Sequence, residues 1–144
     1  MIYFTGDTHR EQDVAKINPD DKFPKGKELT SDDYLIVMGD FGFVYDGGKG
    51  DKFWLDWLES LPWTTCFIDG NHENFDLLNQ YPQEQWHGGQ IHRIRSNIVH
   101  LMRGEILILI TFVVFVSVEH QAMMHNIVYQ MLTGGKKSFL RWSR

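Results

Sequence analysis

Three short apolar segments of this chain each run into a glycine that is followed by side chains able to bind a metal ion. The segments are Met1–Thr5, Tyr34–Met38 and Thr64–Ile68, and the loops that follow contain Gly6-Asp7-Thr8-His9, Gly39-Asp40 and Gly70-Asn71-His72-Glu73. A continuous apolar run of this length, stopped by glycine, is typical of a buried strand that ends in a loop. The repeated unit therefore predicts three strands whose carboxyl ends carry polar loops.

Helical segments are predicted between and after these strands. They are a short amphipathic helix over Glu11–Ile17, a helix over Lys52–Leu61 that Pro62 ends, and a helical segment over Asn74–Gln80, with an exposed connection over Asn18–Lys27 and antiparallel strands from about Trp86. Strands that alternate with helices predict an α/β fold. Ligands of such sheets gather outside the carboxyl ends of the strands, so we expect the three loops to converge.

The composition predicts one globular domain and argues against several protein classes. The chain has 144 residues, a hydrophobic fraction of 42% and a formal net charge of -5, which does not suit a protein that coats nucleic acid. The amino terminus lacks the pattern of a signal peptide, and the apolar stretch Ile106–Val118 is shorter than a membrane-spanning helix. The single cysteine, Cys66, cannot form an internal disulfide. We therefore expect a cytoplasmic protein without a membrane partner.

The loop residues form a donor set suited to a divalent metal ion. Asp7 and His9 are two residues apart in a segment that leaves a strand, so both side chains can turn to the same side. Asp40 adds a second carboxylate, and Asn71 adds an amide oxygen next to the imidazole of His72. Mixed oxygen and nitrogen donors favour manganese, iron or zinc. A lone Gly-Asp pair is more often a simple turn, so the specific signal is the three blocks in order.

In that order the blocks GDTH, GD and GNHE resemble those of the calcineurin-like metallophosphoesterases. The longer segments MIYFTGDTHR, GDFG and EQWHGG are similar to those of small bacterial and phage members of the family. The resemblance covers Met1 to about Glu105. It implies an α/β fold of the α+β sandwich type with a mixed β-sheet, of which this chain would carry only the N-terminal half to two-thirds of a four-layer sandwich.

The resemblance implies a role for each matching residue. Asp7 and His9 would bind a first metal, Asp40 would bridge two metals, and Asn71 would bind the second. His72 would contact the phosphoryl group or the leaving oxygen as stabiliser or general acid, which makes His72 and Asp40 the candidate catalytic residues. The implied reaction is hydrolysis of a phosphomonoester or phosphodiester, with two manganese, iron or zinc ions in an intact relative. Nucleic acid would enter only as a substrate.

Several other residues have a structural interpretation beside a functional one. Arg10 is a candidate phosphate ligand together with His72, or else a solvated surface arginine. Asp46 and Glu73 either orient the ligands or serve as capping or solvated acids. We further predict that His87 is structural, that His92 and His100 are polar positions in surface strands, and that Phe53, Trp54 and Trp57 belong to the core.

The last third of the chain departs from the family pattern. Family members supply further metal-binding histidines there, including a GHxH pair, whereas His120 and His125 lack that glycine and that spacing. We therefore expect an incomplete domain over residues 1–118 and an aberrant tail over residues 119–144. Two functional alternatives follow: a phosphoesterase whose activity is impaired, or a catalytically inactive fragment or phospho-ligand binding module that keeps half of the metal site.

A displaced reading frame is one explanation of this tail. Gly134-Gly135 must be encoded GGN-GGN, which a displaced frame can read as the paired tryptophans that the family has in this region. We therefore hypothesise that the residues beyond about 105–118 are translated from a shifted frame, with a divergent or truncated tail as the alternative. The nucleotide sequence of the gene distinguishes the two.

Overall fold

Six strands form the main sheet of the protein, which a computed structural model describes over residues 1–110, 112–116, 118–121, 124–133 and 136–142. The strands are β1 Ile2–Thr5, β2 Tyr34–Met38, β3 Thr64–Ile68, β4 Gln83–Trp86, β5 Gly89–Arg95 and β6 Ile98–Leu101. Their order is β1-β2-β3-β6-β5-β4. β1, β2, β3 and β6 are parallel, whereas β5 is antiparallel to both of its neighbours. The predicted α/β class with a mixed sheet is confirmed.

The register of the parallel strands brings their carboxyl ends to one edge of the sheet. Thr5 of β1 is paired with Val37 of β2, and Met38 of β2 is paired with Ile68 of β3. Parallel strands that end together release their following loops on the same side. The three polar loops predicted from the sequence therefore leave the sheet side by side.

Both faces of the central strands β2 and β3 are covered, which explains why these two strands are buried without alternation. In β2, Leu35 and Val37 belong to one buried cluster, and Ile36 and Met38 belong to the other. The first face packs against helix α1, Lys49–Glu59, through Leu55 and Leu58 and against short 3₁₀ segments. The second face packs against a hairpin of β7, Ile106–Leu109, and β8, Phe112–Phe115.

The helix predicted at Lys52–Leu61 exists, but it begins earlier, at Lys49. The reason is local: the carboxylate of Asp51 accepts hydrogen bonds from the backbone amides of Tyr45, Asp46 and Gly47, which fixes the first turn against the preceding loop. On this helix Phe53 is 64% exposed, so its assignment to the core is wrong. Trp54 and Trp57 are partly buried and pack against the first cluster, as predicted.

The other predicted helices are shorter than expected. Instead of one helix over Glu11–Ile17, the chain forms two 3₁₀ segments, Arg10–Gln12 and Val14–Ile17, which are separated at Asp13. A third such segment, Pro24–Glu28, overlaps the end of the predicted exposed connection Asn18–Lys27. The segment after β3 holds only the four-residue helix α2, Phe75–Leu78. Its first turn is capped by the side chain of Asn74, which accepts from the amide of Leu77 at 3.0 Å.

The apolar stretch near residue 110 forms strands rather than a helix. In β7 burial alternates, with Leu107 and Leu109 buried and Ile106 and Ile108 exposed. No helix in the described part of the chain is long and apolar enough to cross a membrane.

Beyond this hairpin the backbone forms a second sheet of three antiparallel strands. They are β9 Val118–Gln121, β10 Met124–Thr133 and β11 Lys136–Trp142, in the order β11-β10-β9. The domain boundary near residue 118 and the aberrant tail stay predictions. Gly134-Gly135, on which the frameshift hypothesis depends, lies outside the described residues.

A pair of neighbouring substitutions in β7 tests whether the hairpin covers the sheet. Leu107 is fully buried and Ile108 is 53% exposed. Leu107→Ala should lower the free energy of unfolding by about 2–5 kcal/mol, because it leaves a cavity in the second cluster. Ile108→Ala should change it by less than about 1 kcal/mol. Urea denaturation followed by tryptophan fluorescence measures both values, and equal losses would contradict the described packing of β7.

Candidate metal centre

Backbone hydrogen bonds join the three loops at the carboxyl edge of the sheet. The amide of Asp7 donates to the carbonyl of Gly39, and the amide of His9 donates to the carbonyl of Asp40, both at 3.2 Å. The amide of Gly39 donates to the carbonyl of Ile68 at 3.1 Å. The loops after β1, β2 and β3 are therefore fixed relative to one another by their main chains.

Asp7, His9 and Asp40 come together at this edge. One ligand atom from each residue lies within 4.8 Å of the other two, and Nε2 of His9 is 3.7 Å from Oδ2 of Asp40. Asp40 is only 1% exposed, whereas Asp7 and His9 are partly exposed. The group thus combines one buried carboxylate with two donors that solvent can reach.

This donor set fits a divalent cation. Two carboxylates held close together repel each other, and burial of a charged carboxylate costs free energy unless an opposite charge compensates it. A divalent ion among them would offset both effects, and two carboxylates with one imidazole are donors that manganese, iron and zinc accept. Within the described part of the chain, Asp7, His9 and Asp40 are the acidic and histidine residues whose ligand atoms lie close enough together to hold one metal ion.

Gly70 allows Asp40 to occupy its position in the group. A Cβ atom on Gly70 would lie 2.0 Å from Oδ1 of Asp40 and 2.4 Å from the backbone nitrogen of Asp40. Two residues further along the same loop, the amide of His72 donates to Oδ1 of Asp40 at 3.2 Å. Glycine is therefore needed in the third block because the carboxylate of the second block packs directly against it.

Four residues of the site have left-handed backbone conformations. The φ angles are 48° for Asp7, 39° for His9, 55° for Arg10 and 45° for Asp40. Non-glycine residues rarely adopt positive φ, and those that do concentrate at functional sites. The strain falls on the residues that carry the candidate ligands and on Arg10, which follows one of them.

His72 lies beside the group, and Asn71 precedes it in the same loop. The ring centroids of His72 and His9 are 6.0 Å apart, and both rings line one cavity of about 420 Å³. Asn71 is exposed, and its side chain makes no hydrogen bond to any residue that the structure describes. The structure thus brings His72 close to Asp7, His9 and Asp40, and it leaves Asn71 at the surface without a hydrogen-bond partner among the described residues.

Glu73 is a buried brace rather than a solvated acid. Its Oε1 accepts from the backbone amide of Phe41, which joins the third loop to the second, and its Oε2 is buried without a hydrogen-bond partner among the described residues. Burial raises the pKa of Glu73 to about 7; the charges of Asp40 and Asp69 add to this, whereas backbone hydrogen bonds oppose it. Asp46, in contrast, accepts from the amide of Gly48 at 2.7 Å, a hydrogen bond within its own loop.

Arg10 lines the same cavity as His9 and His72. Its side chain is 18% exposed, and its Nη1 donates to Oδ1 of Asp51 at 2.8 Å. Arg10 is therefore a partly buried, anchored side chain in the wall of the cavity. Asp51 is a residue that the sequence analysis did not single out.

The prediction that His92 and His100 are surface positions is wrong. They are 1% and 5% exposed, their rings are stacked, and their Nδ1 atoms are 3.0 Å apart. His100 Nε2 also lies 2.9 Å from Oδ1 of Asp69, whose other oxygen accepts from Arg103. A buried polar chain thus runs from the middle of the sheet to the residue that precedes Gly70.

This chain of contacts fixes the charge state of Asp69. Burial works to raise the pKa of Asp69, but the hydrogen bonds from His100 and Arg103 outweigh it and hold the pKa below its usual value. Burial, together with the neighbouring His100, lowers the pKa of His92. The sequence did offer a signal for the contact between His92 and His100. The two residues lie at matching positions on either side of the β5–β6 turn, so they are paired across the two strands.

The comparison with protein families agrees with this geometry. The chain matches the model of the calcineurin-like phosphoesterase family over residues 1–124, a segment that contains all three loops. No curated protein and no solved structure gives a significant match. A family match over more than half of the chain, together with a metal-suited group at the three matching loops, leads to one conclusion: the chain belongs to the calcineurin-like phosphoesterase family.

Proposed function

We propose that this protein is a metal-dependent phosphoesterase that hydrolyses a phosphomonoester or phosphodiester, with Asp7, His9, Asp40 and Asn71 as metal ligands. The observation that carries the proposal is the convergence of Asp7, His9 and Asp40 from two loops, with ligand atoms within 4.8 Å of one another. Family membership supports metal-dependent phosphoesterase chemistry in general. The assignment of individual residues is part of the proposal.

Asp40 is the residue on which this site most depends. It is buried, it lies between the loops after β1 and β3, and it accepts from the amide of His72. A carboxylate with this position suits a bridging ligand if two ions bind. Bound divalent ions would polarise the phosphoryl group and lower the pKa of a water molecule, which is the chemistry that this family of reactions needs.

His72 and Arg10 are the proposed contacts with the substrate. Both line the 420 Å³ cavity beside His9. The imidazole of His72 is exposed and can hydrogen-bond to a phosphoryl oxygen or give a proton to the leaving oxygen. The guanidinium of Arg10 can bind a phosphate oxygen with a charge-assisted hydrogen bond.

The number of ligands limits what the site can do. The described residues place three acidic or histidine donors in the group, and Asn71 would add a fourth. An ion is held tightly only when enough protein donors remain. We therefore propose that activity is impaired, with one metal held tightly at most.

The proposed location is the cytoplasm. Cys66 is free and buried, and burial raises the pKa of its thiol, so it is not poised to form disulfides. Fractionation of the cells that make the protein tests this assignment.

One experiment tests the proposal as a whole. The purified chain is analysed for bound manganese, iron and zinc, and then assayed with an activated phosphodiester and an activated phosphomonoester in the presence of manganese. We expect at most one tightly bound ion, slow turnover, and loss of both in Asp40→Ala. Metal binding without turnover of the wild type would favour a phospho-ligand binding module, and loss of both properties in the wild type would favour an inactive fragment.

His72 should affect turnover and not metal binding. His72→Asn removes the proposed acid and keeps the backbone amide that donates to Asp40, so the metal affinity should stay within about twofold. Turnover should fall by roughly 10²- to 10⁴-fold, the usual contribution of a positioned acid or base. His87→Asn, which changes another exposed histidine at the β4–β5 turn, is the matched control. Loss of metal from His72→Asn would instead identify His72 as a ligand.

Gly70→Ala should weaken metal binding although it changes no ligand. The new Cβ atom would collide with the backbone and carboxylate of Asp40, and displacement of that carboxylate should lower the metal affinity by about 10- to 100-fold. Gly104→Ala is the control, because a Cβ atom there meets no heavy atom within 4 Å, although its φ of +85° adds strain. Calorimetric titration with manganese compares them. Equal affinities in the two variants would contradict the role given to Asp40.

A further inference from the structure

Asp51 is a buried carboxylate that the metal centre does not use. It is 2% exposed, and its two oxygens have different partners. Oδ2 accepts from the backbone amides of Tyr45, Asp46 and Gly47 at 2.7, 2.9 and 2.8 Å. Oδ1 accepts from Nη1 of Arg10 at 2.8 Å. One oxygen thus organises the loop before α1, and the other holds a side chain that lines the candidate active-site cavity.

Arg10 is held on more than one side. Its guanidinium carbon lies 5.5 Å from the centroid of the Tyr45 ring, and its Nε lies 3.4 Å from a carboxylate oxygen of Glu11. Tyr45 belongs to the loop that Asp51 organises, and it lines the same cavity as Arg10. The contacts of Arg10 with Asp51 and Glu11 are made by Nη1 and Nε and do not involve Nη2. The guanidinium is therefore anchored at one nitrogen while another can still bind a ligand.

Three backbone amides share the negative charge of Asp51 with Arg10. Because three amides already donate to Oδ2, Arg10 is not the only group that compensates the negative charge of Asp51. Part of the positive charge of Arg10 therefore remains available to attract a ligand. A free arginine side chain loses much rotational freedom when it binds an anion. An arginine that is already fixed loses less, so its affinity for the anion is higher.

We propose that Asp51 is a positioning residue that fixes Arg10 in the cavity wall, so that Arg10 binds a non-bridging oxygen of the substrate's phosphate group. This proposal rests on the proposed phosphoesterase function, because it assumes that the phosphate group occupies the cavity beside His9 and His72. A carboxylate that only stabilised the loop before α1 would need Oδ2 and not Oδ1. The separate use of the two oxygens makes the roles experimentally separable.

The variant that separates them is Asp51→Asn. Its remaining oxygen can still accept from the loop amides, whereas its amide group presents donors to Arg10 in place of an acceptor. We expect the dissociation constant of inorganic phosphate to rise about tenfold in the manganese-loaded variant, measured by calorimetry. The KM for the ester should rise by a similar factor, with kcat within about twofold. Asp56→Asn, an exposed acid on the same helix, should leave both constants unchanged.

A double-mutant cycle identifies the route of the effect. If Asp51 acts through Arg10, Asp51→Asn should have no further effect on the phosphate dissociation constant in the Arg10→Ala background. The same tenfold loss in that background would overturn the proposal, because Asp51 would then act through the fold. An unchanged phosphate dissociation constant in Asp51→Asn alone would also overturn it.

A spectroscopic measurement on the wild type keeps the proposal testable if Asp51→Asn does not fold. The anchored guanidinium of Arg10 should give a distinct, slowly rotating side-chain NMR signal, which is identified by its loss in Arg10→Lys. Absence of such a signal would contradict the anchoring. This signal and the phosphate titration of the manganese-loaded protein do not require turnover. Failure of the phosphoesterase function would appear separately, as a wild type without bound metal and without activity.

Discussion

Parallel pairing of β1, β2 and β3 is the interaction on which the candidate site depends. Because Thr5 is paired with Val37 and Met38 with Ile68, loops that are far apart in the chain leave the sheet side by side. A shift of one residue would turn every side chain of the shifted strand to the opposite face and disrupt both apolar clusters. Burial of the strands therefore determines where the candidate metal donors lie, although none of these donors belongs to a strand.

Asp40 links this framework to the chemistry. Its burial costs free energy that a cation would offset, and its place is left open by the absence of a side chain at Gly70. The neighbouring Glu73 responds to the same surroundings, because burial and the charge of Asp40 both raise its pKa. A raised pKa lets Glu73 take up a proton and lower the negative charge at this edge, and a cation bound among Asp7, His9 and Asp40 would compensate the charge that remains.

The sequence predicted features that depend on local pattern and missed those that depend on distant partners. The strands Tyr34–Met38 and Thr64–Ile68 have the predicted bounds, because a buried strand is apolar throughout. Asp51 precedes the helix predicted over Lys52–Leu61 and resembled any acid near the start of a helix, since its Arg10 partner is 41 residues away. His100 looked like a surface residue because its burial depends on Asp69 from another strand end. Whether a polar residue is buried can be predicted from the sequence only when its partner is known.

The third loop is braced on both sides by residues that precede residue 111. On one side Glu73 accepts from the amide of Phe41, and on the other Asp69 is bound by His100 and Arg103. The positions of Asn71 and His72 therefore follow from contacts within residues 1–110. Affinity for an ion, in contrast, depends on how many donors reach it. A change in the later part of the chain that removed ligands would thus weaken metal binding, while the donors of the first three loops would keep their arrangement.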